Sequence, residues 1–276
     1  MFSPMTTGVA AAELHISISA QPLFEVFGVP ITNAVFTGAV GSLIVVAILS
    51  YVAFKVRRGS QNRFTGLVQW VFEGLINQIS MVIPDRRVAR AITPLAVTIF
   101  FVVLIQYWLS VLPGPESITW NGVPVLRSLA ADLNFTLALA VITIVTVQMY
   151  AIKHLGVFAN AGRYFRNPIK DPIGAFEGAL ELVGEASRGA ALALRLFGNA
   201  FAGEVLLVII AVLTSYFASV VLPFFMAFEL FIGFIQAYVF FMLALIFTAL
   251  AVSHNDSDEH THSPARPSTK RAVHQG

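Results

Sequence analysis

The chain has 276 residues, of which 57% are hydrophobic and only 12% charged, with a mean hydropathy of +0.79. A soluble domain carries about 25% charged residues and about 45–50% apolar ones, so the composition excludes a water-soluble enzyme and leaves a polytopic membrane protein. A net charge of +2 supplies no basic face for nucleic acid, and the absence of cysteine excludes disulfides and thiolate metal sites.

Residues 1–33 hold no Lys or Arg and no cleavage pattern, so they do not read as a signal peptide. Uncharged apolar runs follow at 34–54, 91–112 and 133–152. Each is close to the roughly 20 helical residues that cross about 30 Å of hydrocarbon. Pro94 falls in the first turn of the second run, where its missing N–H costs little. Between the first two runs, 64–84 is apolar but interrupted by Gln69, Glu73, Asn77 and Gln78. Glu73, Asn77 and Ser80 share one helical face, with Trp70, Leu75, Ile76 and Ile79 mostly elsewhere. Both flanks are basic, so the spacing predicts an in-plane interfacial helix rather than a crossing.

From 172 to 253 the chain is apolar yet holds Glu177, Glu181, Glu185, Arg188, Arg195, Glu204 and Glu229. Its two ends belong on one side, so it is expected to fold as a hairpin turning near 215–219, ahead of Pro223. At about 1.5 Å per residue the arms come to roughly 63 Å and 51 Å, too long for the slab at ordinary tilts. They either break or lie obliquely, and an oblique pair is the expectation. The polar tail 254–276 reads as disordered; its His260 and His262 read as part of that solvated tail or as a metal pair.

Fourteen of the 17 basic residues orient the chain: Lys55, Arg57, Arg58, Arg63, Arg86, Arg87, Arg90, Lys153, Arg163, Arg166, Lys170, Arg266, Lys270 and Arg271 all fall on one side. The loop between the second and third spans holds only Arg127. By the positive-inside rule the N-terminus, with residues 1–33, is external and the C-terminus cytoplasmic.

Register in the hairpin follows from taking Phe217 as its midpoint. Arg195, 22 residues before it, and Gln236, 19 after it, face each other at similar depth; Glu204, 13 before, and Glu229, 12 after, meet nearer the outside. Arg195 and Asn199 share a face of the first arm, as do Glu229 and Gln236 of the second. Intramembrane charges cost about 2.5–3.5 kcal/mol each on insertion scales and mark function by default. A purely structural Arg–Glu pair is the competing account, but Glu204 lies nine residues from Arg195 and so points elsewhere. Gly189, Ala190, Ala193, Gly198, Ala202 and Gly203 crowd the same arm, which lets another helix approach closely: the second arm, or a partner subunit.

The run Ala193-Leu194-Arg195-Leu196-Phe197-Gly198-Asn199-Ala200-Phe201-Ala202-Gly203-Glu204 resembles the signature of subunit a of the rotary F-type ATP synthase, bacterial type. Phe234-Ile235-Gln236-Ala237-Tyr238-Val239-Phe240 is similar to that family's last-helix motif with its buried Gln, and Asp132-Leu133-Asn134-Phe135-Thr136 to its D-x-N-x-T pattern. The resemblance runs in order from 34 to 252. Two positions depart from it: Tyr107-Trp108 stands where the family often has Asn-Leu, and Glu229 where relatives often have His. The fold implied is all-α: three ordinary transmembrane helices, the in-plane helix, and a C-terminal hairpin of two long oblique helices.

Functionally, the resemblance implies a proton-conducting stator in a bacterial plasma membrane, beside a rotating ring of c subunits. Its other implied partners are the peripheral-stalk b subunits and the remainder of the ATP synthase; it implies no cofactor, no metal and no active site of its own. Arg195 would be the essential cation separating two offset half-channels. Glu204, Glu229, Asn199 and Gln236 would line the outer half, with Asp132 and Asn134, while Glu181 and Glu185 belong to the cytoplasmic half. Asp132 also reads as an ordinary helix N-cap. The alternative, a proton-coupled secondary transporter, would carry internal repeats, and no repeat relates the first three spans to the hairpin.

Overall fold

The computed structural model describes residues 20–26, 28–60, 62–111, 119–120, 123–125, 127–164 and 172–261. The chain opens on an antiparallel ribbon of β1 (Pro22–Val26) and β2 (Val29–Thr32) that turns at Gly28, whose φ of +79° suits a residue without a Cβ. Helix α1 (Asn33–Arg57) starts where Thr32 Oγ1 accepts from the Val35 N–H at 3.3 Å. Lys55 and Arg57 occupy its last turn, the end at which the helix dipole favours cations. Helix α2 (Arg63–Val82) starts with Thr65 Oγ1 accepting from the Asn62 N–H at 2.8 Å, and α3 (Arg86–Val111) contains Pro94 without breaking.

A second, shorter ribbon, β3 (Thr119–Trp120) with β4 (Val123–Pro124), follows. Helix α4 (Leu133–Leu155) and the short α5 (Val157–Tyr164) are separated by Gly156 at φ +87°. Helix α6 (Pro172–Thr214) opens on proline, whose absent N–H would have been unpaired there anyway. A single 3-10 turn at Ser215–Phe217 reverses the chain into α7 (Ala218–Thr261). α1, α3, α4, α6 and α7 are each long and apolar enough to cross a membrane, and the expected spans, interfacial segment and hairpin turn all coincide with elements.

The fold is helical as expected, with two short ribbons added, one leading into α1 and one between α3 and α4. One expectation needs correction: the last helix does not end at 253, because α7 continues to Thr261. The sequence from His254 to Thr261 is polar but has no Pro or Gly, so nothing in it stops a helix already propagating. Residues 1–19, Arg166, Lys170 and 262–276, with His262, Arg266, Lys270 and Arg271, lie outside the described residues.

Helix α3 is the hub of the bundle. It packs most extensively on α7 and also touches α1, α2 and α6. Phe100 joins the two central helices by meeting Phe234 and Phe241 edge-on, at centroid distances of 6.0 and 6.3 Å. α1 comes close to α3 at Gly41, where the buried Gln106 takes the space of a side chain and donates from Nε2 to the Gly38 carbonyl at 2.9 Å; Gly38 leaves room for Leu129. α2 lays Val68, Leu75 and Ile79 into the core. Trp70 is 73% exposed, on the same side as Glu73 and Asn77, so the outward face of α2 is mixed rather than polar. α4 lies against both arms of the hairpin. Outside this core, Leu43, Val46, Val141, Val145, Leu213 and Phe224 point away from the protein. Such an apolar outer belt suits hydrocarbon and not water.

Candidate functional site

The small residues of α6 fall on two opposite faces. Gly189, Leu192, Ala193, Leu196, Ala200 and Gly203 are buried against the rest of the chain. Gly189 leaves room for Ile144 of α4, and Gly203 for the carboxyl of Glu229. Ala190, Ala191, Ala202 and the side chains of Arg195 and Asn199 are exposed. The buried face bears out the packing reading, and the exposed face is the one left for a partner. Ala193, at 0% exposure, belongs to the packing face and is withdrawn from any surface a partner could touch.

Arg195 stands near the middle of α6, exposed, and forms no hydrogen bond or ion pair with another described residue. One turn later, Asn199 Nδ2 donates to Gln236 Oε1 of α7 at 2.9 Å. The count from Phe217 set Arg195 opposite Gln236; the contact instead joins Gln236 to Asn199, one turn on from Arg195. Gln236 is 2% exposed, and its Nε2 finds no partner among the described residues.

Nearer the hairpin turn, Glu229 is buried at 4% exposure. Its Oε2 accepts from the Tyr107 hydroxyl of α3 at 3.1 Å. A Cβ built on Gly203 would stand 2.5 Å from the same oxygen, so the Glu229 carboxyl rests on the α6 backbone one residue before Glu204. Glu204 Oε1 accepts from the Ser128 N–H at 3.2 Å, in the loop that leads into α4. The loop is tied to α1 as well, through the Arg127 N–H and Thr37 Oγ1 at 3.0 Å. Glu204 and Glu229 are thus held by different neighbours, Glu204 by the loop into α4 and Glu229 by α3.

Asp132 is the N-cap of α4: its Oδ1 accepts from the Asn134 N–H at 2.9 Å. Asn134 is exposed. At the other end of the bundle Glu185 accepts at Oε2 from the Tyr164 hydroxyl at 2.6 Å and at Oε1 from Gln148 Nε2. Gln148 also donates to the Tyr164 oxygen at 2.8 Å, closing a three-way cluster of α4, α5 and α6. Glu181 is half-buried one turn earlier. Arg188 lies over the Phe247 ring at 5.4 Å, a cation–π contact between the arms.

Sequence reasoning missed Tyr107, Ser128, Gln148 and Tyr164. Gln148 carried a signal, as a lone amide in an otherwise apolar stretch. Tyr107 carried another, as a departure from the resembling pattern. Ser128 acts through its backbone and Tyr164 ends the short helix α5, so neither had one.

Comparison with known proteins gives the family. The sequence model described as ATP synthase A chain matches residues 35–249. The ATP synthase subunit a of Mycobacterium ulcerans is 31% identical over 260 residues, covering 93% of this chain and all of the relative. That of Mycobacterium bovis is 34% identical over 226 residues, covering 80% of this chain and 87% of the relative. The subunit a of Aliivibrio fischeri is 29% identical over 261 residues, covering 91% and 93%. An arginine-bearing helical hairpin and a family match across nearly all the membrane helices lead to one conclusion: the chain belongs to the ATP synthase A chain family.

Proposed function

We propose that this chain is the proton-conducting stator subunit of a bacterial ATP synthase, working against a rotating ring of c subunits. The observation that carries the proposal is Arg195, a permanent cation near mid-helix, exposed and unpaired within the described chain on a face of small residues. An intramembrane charge needs a partner. A partner outside the chain, bearing a carboxyl group that passes at close range, supplies one. Family membership supports proton translocation in ATP synthase and leaves secondary transport without support.

Arginine suits the task because its planar guanidinium keeps its charge and presents a fork of donors to a carboxylate. Beside a ring carboxyl it favours the ionised form, so the proton leaves on the exit side. As a fixed cation between two offset half-channels it also blocks direct proton leakage. Each proton crossing 100 mV delivers about 2.3 kcal/mol to rotation. Glu204, Glu229, Asn199 and Gln236 form the outer half-channel, with Asp132 and Asn134 at its entrance, and Glu181 and Glu185 the cytoplasmic half. Continuous helices of 43 and 44 residues support an oblique hairpin wrapping the ring, and the mixed face of α2 supports its lying in the interface. Peripheral-stalk b subunits would hold the assembly still.

The test is the assembled complex in inverted vesicles. Arg195→Ala should abolish ATP-driven proton pumping while the complex still assembles, and Arg195→Lys should lose nearly all of it, having a point charge in place of the fork. Normal pumping by Arg195→Lys would overturn the separator role.

A further inference from the structure

Tyr107 and Trp108, the pair that departs from the family pattern, grip α7 at Glu229 and at the residue after it. The Tyr107 hydroxyl donates to Glu229 Oε2 at 3.1 Å, and Trp108 Nε1 donates to the Leu230 carbonyl at 3.0 Å. Tyr107 is 1% exposed. Its ring occupies a notch that only glycine leaves open, since a Cβ at Gly233 would stand 2.5 Å from Tyr107 Cδ1. The carboxyl is thus confined between the α6 backbone at Gly203 and one phenol on α3. A buried carboxylate is costly unless hydrogen-bonded, and this hydroxyl is the hydrogen-bond donor the structure gives it.

We propose that Tyr107 is a positioning residue of the outer proton path, whose hydroxyl fixes the Glu229 carboxyl and tunes its hold on the transferred proton. The proposal rests on Glu229 belonging to that path. A phenol is suited to the role because it donates to a carboxylate and accepts from a carboxylic acid, so it can follow Glu229 through both protonation states with a rotation of one O–H bond. Asn or Leu at this position could not fill the Gly233 notch in the same way. The charged and titratable groups around Glu229 are few. Tyr107 faces it from α3, and on α6 Glu204 follows Gly203, the residue on which the carboxyl rests. α4 has no acidic residue along its length. On α7 itself Glu229 is the one charged residue between Ala218 and Ser253.

Tyr107→Phe keeps the ring in its notch and removes only the hydroxyl. In the assembled complex, the infrared carboxyl band assigned to Glu229 by its loss in Glu229→Gln should move to higher frequency. A carboxylate without its donor holds a proton to higher pH, so the pH of half-maximal pumping should move by about one unit to the alkaline side. A variant carrying 3,5-difluorotyrosine at position 107, a more acidic donor in the same notch, should move both readings the other way. Trp108→Phe removes the neighbouring contact to the backbone and should leave the band and the pH profile in place. The proposal is overturned if Tyr107→Phe leaves the band unmoved, or if Trp108→Phe displaces it equally. Failure of the underlying path reading shows separately, as unchanged pumping in Glu229→Gln with the band shift of Tyr107→Phe intact.

Discussion

At the residue scale, the outer polar cluster depends on an absence of atoms as much as on its carboxyl groups. Glu229 reaches the α6 backbone because Gly203 has no side chain there. The group that would meet a new methyl is the far end of a flexible glutamate, which moves more readily than a helix. Gly203→Ala should therefore leave assembly intact while displacing the carboxyl and lowering ATP-driven pumping at least severalfold. Gly74→Ala on α2, where the added Cβ meets nothing within 4 Å, should pump normally and gain up to about 1 kcal/mol in helix stability. Equal pumping by the two variants would show that the position of Glu229 does not matter to flux.

At the element scale, α6 separates its two tasks by face: inward glycines and alanines admit α4 and α7, and the outward stripe keeps Arg195 accessible. Cysteine scanning exploits the cysteine-free background. Cysteine at Ala202 should cross-link to an outer helix of the c ring, whereas cysteine at the buried Ala193 should give none; the reverse pattern would exchange the two faces. Much of this architecture was legible beforehand. Uncharged runs of about 20 residues define α1, α3 and α4 directly, and the Phe217 midpoint set Gln236 opposite Arg195, one turn from its actual partner Asn199. The division of small residues was not legible, because Gly189, Gly198 and Gly203 are the same residue in sequence and differ only in which neighbour arrives. Tyr107 was visible only as a departure, since its role needs α3 laid on α7. The continuation of α7 to Thr261 escaped a reading based on polarity, which marks the end of a membrane span and not the end of a helix.

At the scale of the whole molecule, charge and polar contacts are distributed end to end. One end gathers the last turn of α1 with Lys55 and Arg57, the first turn of α3 with Arg86, Arg87 and Arg90, and Lys153 of α4. The opposite end holds both ribbons, the loop carrying Ser128 against Glu204, and the 3-10 turn of the hairpin. By the positive-inside rule we propose that the basic end lies in the cytoplasm. That orientation would also open the Glu204–Glu229 cluster to the external solution and leave Glu185 with Tyr164 and Gln148 near the cytoplasmic one, as two offset half-channels require. Single cysteines provide the measurement. One replaces Phe24 on the first ribbon and the other Ser60 after α1, both exposed positions. A membrane-impermeant maleimide added to intact cells should label the Phe24→Cys variant and spare Ser60→Cys. In inverted vesicles the pattern should reverse. Labelling of Ser60→Cys from outside intact cells would invert the topology, and with it the assignment of Glu204 and Glu229 to the proton entry side during synthesis.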